Sequence, residues 1–238
     1  GAGTTRLASR ASGPAGAVGG GQFPILSADG RKVAFSSPST VYGLDGTAFQ
    51  VLVRDHAAGT TTLVSRADGA GAAGDAGTLP SSISADGDVI TFSSDATNLG
   101  VVPGPSDSFV WARRVAAART ILVNRRDGAD GTPLSGRWGS SSVSGDGDCV
   151  AFAGKGEAPF PGASPDFEHV LMRVIAGDCP NAAPPAVPAG GGPAPAAAGP
   201  VVSGLTVTPN RFRVGKGRTA TSAAAKRRKA PEGTTIRL

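Results

Sequence analysis

Four carboxylates are spaced as oxygen ligands to a cation would be. Asp86 and Asp88 sit in an Asp-Gly-Asp tripeptide, and Asp146 and Asp148 repeat it 60 residues later. Carboxylates two positions apart are what a Ca²⁺ loop uses, but such a loop also needs further ligands and a bidentate Glu. Neither stretch supplies them. The favoured reading is a tight turn in which Asp29, Asp86 and Asp146 accept backbone N–H groups. Gly30, Gly87 and Gly147 directly follow and take up the positive φ.

Other catalytic arrangements fare no better. The two histidines, His56 and His169, stand in a turn and beside a strand, and no GxSxG elbow leads from a strand into a helix. No catalytic residue and no cofactor is expected, and the chain is read as a non-enzyme. The two cysteines, Cys149 and Cys179, form no CxxC and have no close histidine pair, which excludes a zinc centre. They are either two buried thiols or a disulfide. The disulfide is preferred, because the stretch they bracket is the least regular of the body, and it implies an oxidising compartment.

The elements that carry these residues repeat. LSADGRKVAFSS (26–37) returns as ISADGDVITFSS from Ile83 and as VSGDGDCVAFAG from Val143, with spacings of 57 and 60 residues between Ser27, Ser84 and Ser144. FQVLVRDHAAGTTTLVSR, ending at Arg66, follows the first copy, and SFVWARRVAAARTILVNR, ending at Arg125, follows the second. Only EHVLMRVIAGDC follows the third. A fixed period of this length means one supersecondary unit stacked on its neighbours. Within the second unit, 80–84, 88–94, 108–113 and 119–125 read as four strands, the first two joined through Ala85-Asp86-Gly87. Four antiparallel strands per repeat with a Gly-rich crossover such as 67–77 make a β-propeller blade. The fold class is therefore all-β, with about three blades in a partial or fragmentary ring. Phe35, Phe92 and Phe152 recur in register and belong to the core between blades. Trp111 and Trp138 share no register, and Trp138 either packs between blades, the preferred reading, or lines a ligand-facing rim.

The motifs SADGRKVAFSS and SADGDVITFSS, with DATNLGVVPG (95–104) and VRDHAAGTTTLVSR (53–66), resemble the TolB-like propeller repeats of bacterial envelope proteins. The likeness covers roughly residues 4–175. It departs at PSTVYGLDG (38–46), which replaces the Asn-Leu loop, at Gly145, and at the missing last strand of the third unit. Units fall at about 22–66, 79–125 and 138–178 within a body of 1–178. TTRLASR (4–10) matches TTTLVSR (60–66) and reads as an outer strand whose own blade is absent: either it completes the third unit of a short partial ring, or the chain is a piece of a longer propeller, the preferred reading. Residues 179–200 form a Pro/Ala/Gly linker. The basic tail 201–238 resembles the truncated opening of an immunoglobulin-like module.

Composition narrows the partners. Gly 36 and Pro 19 suit a turn-rich β protein, with 39% hydrophobic and 17% charged residues. The net charge of +5 is not a folded basic face: nine of the 23 Lys and Arg residues lie beyond residue 200, against Glu232 alone among the 18 acids. KRRK (226–229) has no interleaved aromatics, and nucleic-acid binding is not expected. No apolar run approaches the roughly 20 residues of a membrane span. The resemblance implies a scaffold that binds another protein or a cell-envelope component, located extracellularly or in the envelope. Loops 38–48, 95–107 and 154–167 are the candidate contact surface. The alternatives are the substrate-gating propeller of a hydrolase whose catalytic domain lies elsewhere, and a carbohydrate- or Ca²⁺-binding surface module.

Overall fold

An Asp-Gly turn followed by alternating apolar residues closes a hairpin, and three such series fold into three antiparallel sheets. The computed structural model describes residues 3–177 and 179, with two short strands at 206–208 and 235–237. Sheet I runs β1 (Gln22–Leu26), β2 (Lys32–Ser37), β3 (Gln50–Asp55) and β4 (Thr60–Leu63) in that spatial order. Sheet II repeats it with β5 (Thr78–Ile83), β6 (Val89–Ser94), β7 (Phe109–Arg114) and β8 (Arg119–Leu122). Sheet III has three strands, β9 (Gly136–Val143), β10 (Cys149–Gly156) and β11 (His169–Val174). No α-helix occurs among the described residues, and the sheets do not close a ring.

Each sheet has a front and a rear apolar face, because side chains alternate along a strand. Phe35, Phe92 and Phe152 occupy the same front position, opposite Leu52, Trp111 and Leu171 respectively. All three phenylalanines are buried. Ala34, Val51, Val53 and Val64 at the rear of sheet I pack on Ile90, Phe92, Phe109 and Trp111 at the front of sheet II. Val89, Val110, Ala112 and Val123 at the rear of sheet II pack in turn on Trp138, Val150 and Phe152 of sheet III. The front of sheet I holds Phe35, Leu44 and Leu52, covered by Tyr42 from a short 3-10 turn, Thr40–Tyr42. Trp138 is fully buried, so it packs between blades and lines no rim.

The sheets are also tied by a repeated arginine that the sequence does not advertise. Arg54 donates to the carbonyls of Ala11 and Gly13, Arg113 to those of Ala67 and Gly69, and Arg173 to those of Arg125, Arg126 and Gly128. Each thereby grips the crossover that enters its own sheet. All three crossovers carry the same isolated bridge, Arg10 to Val18, Arg66 to Ala73 and Arg125 to Pro133. Arg113 is buried, and its guanidinium also donates to the Thr120 hydroxyl at 2.8 Å. Arg113→Ala strands these acceptors without a partner and is expected to lower stability by about 2–3 kcal/mol. Arg113→Lys should recover little of it, since one ammonium cannot span the fork. Urea unfolding followed by circular dichroism checks both, and full rescue by Lys would show that charge alone matters.

The segment 4–10, read from its sequence as a strand, makes no ladder among the described residues. Its sequence counterpart β4 pairs with β3, whereas no such neighbour lies beside residues 4–9. The chain divides into one unit of residues 1–184 and another of 185–238. In the second, β12 (Thr206–Thr208) pairs antiparallel with β13 (Thr235–Arg237). The expected linker beyond residue 179, the run 226–229 and the remainder of the tail lie outside the described residues. No helix of the described residues is long and apolar enough to cross a membrane.

Candidate functional site

The Asp-Gly turns occupy one end of the blades. Ser27, Ser84 and Ser144 donate their hydroxyls to Asp29, Asp86 and Asp146, and the same oxygens accept the N–H of Arg31, Asp88 and Asp148. These bonds hold all three carboxyls below the usual carboxylate range. The hydroxyl bond leads for Asp29 and Asp146, and the Asp88 N–H leads for Asp86. Gly30, Gly87 and Gly147 take φ of 70°, 70° and 79°, the left-handed values the turn requires. Successive turns are joined as well: the Asp29 N–H donates to the Ala85 carbonyl and the Ala85 N–H to that of Gly145.

The second carboxylates of the two Asp-Gly-Asp stretches have separate partners. Asp88 accepts the Ala116 N–H at 2.7 Å, and Asp148 pairs with the Arg114 guanidinium at 3.0 Å. Among the described residues no three His, Cys, Asp or Glu side chains gather as a metal site would need. His56 lies half-buried in a turn, and His169 opens β11 with its Nε2 2.7 Å from the Ser164 carbonyl. Cys149 and Cys179 are joined in a disulfide, with Cα atoms 5.9 Å apart.

Hairpin topology puts the loops after β2, β6 and β10 at the opposite end. They are pinned at their bases. In the loop after β6, Asn98 accepts the Asp75 N–H and donates to the Ala73 carbonyl, while Asp75 takes the N–H and hydroxyl of Thr97. The Thr97 hydroxyl is the chief cause of a lowered Asp75 pKa. Leu99 beside Asn98 is buried in the core. The next loop is held by an ion pair between Arg126 and Glu157 at 2.6 Å. The loops after β6 and β10 nevertheless present apolar side chains to water: Val102 is 73% exposed, Phe160 55% and Phe167 68%. Sequence reasoning located these loops but missed their anchors. Asn98 inside the Asn-Leu pair was the available signal.

No family model matches the chain, and no curated protein matches it. Solved structures similar to it at low level include two TolB proteins. TolB from Acinetobacter baumannii aligns with a TM-score of 0.37 and 17% identity, over 67% of this chain and 31% of that one. A putative TolB from Agrobacterium tumefaciens gives a TM-score of 0.37 and 17% identity, over 66% of this chain and 46% of that one. The chain thus spans less than half the length of either. Its architecture follows from its own sheets and not from these likenesses.

Proposed function

We propose that the chain is a non-enzymatic interaction scaffold of an exported bacterial protein, binding another protein or a cell-envelope component through the loops after β2, β6 and β10. One observation carries this reading: loops anchored to rigid sheets hold Val102, Phe160 and Phe167 in water. Apolar residues displayed on a fixed framework bind at low ordering cost. The disulfide fits an oxidising compartment and supports an extracellular or envelope location. The resemblance of the SADG repeats to envelope propellers points the same way. On this reading residues 179–200 are a spacer, and 201–238 open an immunoglobulin-like module.

The test compares the full chain with a Val102→Asp, Phe160→Asp, Phe167→Asp variant for saturable binding to isolated bacterial envelope preparations. The variant should bind at least tenfold more weakly while melting at the same temperature. Equal binding by both chains, or no saturable binding by the parent, overturns the proposal.

A further inference from the structure

Each of the two junctions inside the body is built from the same parts, and sheet III presents the first half of a third. At the rear of sheets I and II, Val51 with Val53 and Val110 with Ala112 are buried under the next sheet. The equivalent residues of β11 are Val170 and Met172, and these are 79% and 63% exposed. Among the described residues, sheet III also has no counterpart of the outer strands β4 and β8, which leaves β11 as its edge there. Beside that edge runs a groove of about 720 Å³ of mixed character, lined by Leu134, Phe152, Phe160 and Leu171 and by Arg125 and Arg173.

The missing half is present elsewhere in the same chain. Residues 4–10, TTRLASR, match TTTLVSR of β4 and its extension. They lead into residues 10–18, which already hold the crossover conformation and are gripped by Arg54 as the later crossovers are gripped by Arg113 and Arg173. A crossover held in this way places the strand before it on the preceding sheet.

We propose that a second copy of this chain docks head to tail on sheet III, its residues 4–9 pairing with β11 and its sheet I covering Val170 and Met172. The internal ladders dictate the register. Leu63 faces Leu52 and Leu122 faces Trp111, so the second copy's Leu7 faces Leu171. Arg54 and Arg113 donate to the hydroxyls of Thr61 and Thr120, whereas Arg173 finds no hydroxyl among the described residues; Thr5 of the second copy supplies it. Ser65 and Asn124 accept the N–H of Val51 and Val110, and Ser9 stands in the same place for Val170. The groove receives Leu7 against Phe152 and Leu171. The contact is heterologous, so it closes a ring or extends into a longer array. It shares Phe160 of the groove lining with the loop surface, and neither Val170 nor Met172 belongs to the loops.

Sedimentation of the full chain over a range of micromolar concentrations tests the proposal. Species of two or more copies should appear with rising concentration. A Val170→Asp, Met172→Asp variant should weaken association at least tenfold without shifting the melting temperature, because both side chains are already exposed. Mixing a Leu7→Cys chain with a Leu171→Cys chain should give a disulfide-linked pair under mild oxidation, and a Leu7→Cys chain mixed with a Val174→Cys chain should give far less. A monomer at every concentration overturns the proposal, as does association indifferent to the aspartates. Cross-linking within a single diluted Leu7→Cys, Leu171→Cys chain also overturns it, since that would place the strand on its own sheet III.

Discussion

Trp138→Ala is expected to lower the unfolding free energy by about 3–5 kcal/mol, the cost of emptying a large aromatic site in a core that cannot fully collapse. Trp138 has no exposed surface and meets Phe152 edge to face, with ring centroids 5.7 Å apart and an interplanar angle of 64°. Its indole N–H donates to the Ser135 carbonyl at 3.2 Å, and its backbone exchanges bonds with Ser108 of the preceding sheet. The site is shaped for it: a Cβ at Gly154 would come within 2.7 Å of the indole, so the facing strand leaves that space open with glycine. Because Trp138 joins sheets II and III, its loss should also split unfolding into two steps. Urea titration followed by far-UV circular dichroism reports the total loss, and the fluorescence of Trp111 reports sheets I and II. A loss under about 1 kcal/mol, with a single transition, would show that the junction does not rest on this side chain.

Removing the disulfide should cost almost as much. The bond spans 30 residues, and closing a loop of that length in the unfolded chain is worth about 3–4 kcal/mol. Native geometry adds to the expectation. Cys149 starts β10 directly opposite Val174 at the end of β11, so the bond secures a strand that has no outer partner among the described residues. The chain leaving β11 is held otherwise by the Asp148 carbonyl, which accepts the N–H groups of Ile175 and Ala176. A Cys149→Ala, Cys179→Ala chain and the parent chain in reductant should unfold at the same, lower urea concentration. Unchanged stability in both would remove the disulfide from any part in holding sheet III.

What could be read from the residues was local. Asp29-Gly30 and Asp86-Gly87 fix hairpins within a few positions, and period-two alternation on each side sets which residues face inward, so strands, turns and the burial of Phe35, Phe92 and Phe152 were all accessible. The arginine grips were not. Their acceptors are backbone carbonyls of Ala11, Gly69 or Gly128, and a carbonyl leaves no mark in residue identity. The only trace was position, since Arg54, Arg113 and Arg173 each stand next to the same strand end. The ambiguity over Trp138 had a similar origin. A Gly-flanked tryptophan fits an exposed rim as well as a core, and only the partner strand's Gly154 distinguishes them. Residues 4–10 show a different limit: a strand-like sequence names no neighbour, and among the described residues of one chain none accepts the backbone bonds of residues 4–9 in a ladder.

The sameness of the junctions has an evolutionary corollary. The ties run within one sheet or between adjacent sheets, so stability is close to a sum of intrinsic and nearest-neighbour contributions, as in a one-dimensional lattice. In-frame duplication of one period, 57 or 60 residues here, would insert a whole layer without asking any existing side chain to change partner. A single extra residue within a strand would instead turn its inward side chains outward. Lineages carrying such a sequence are thus free to lengthen or shorten the array in whole steps.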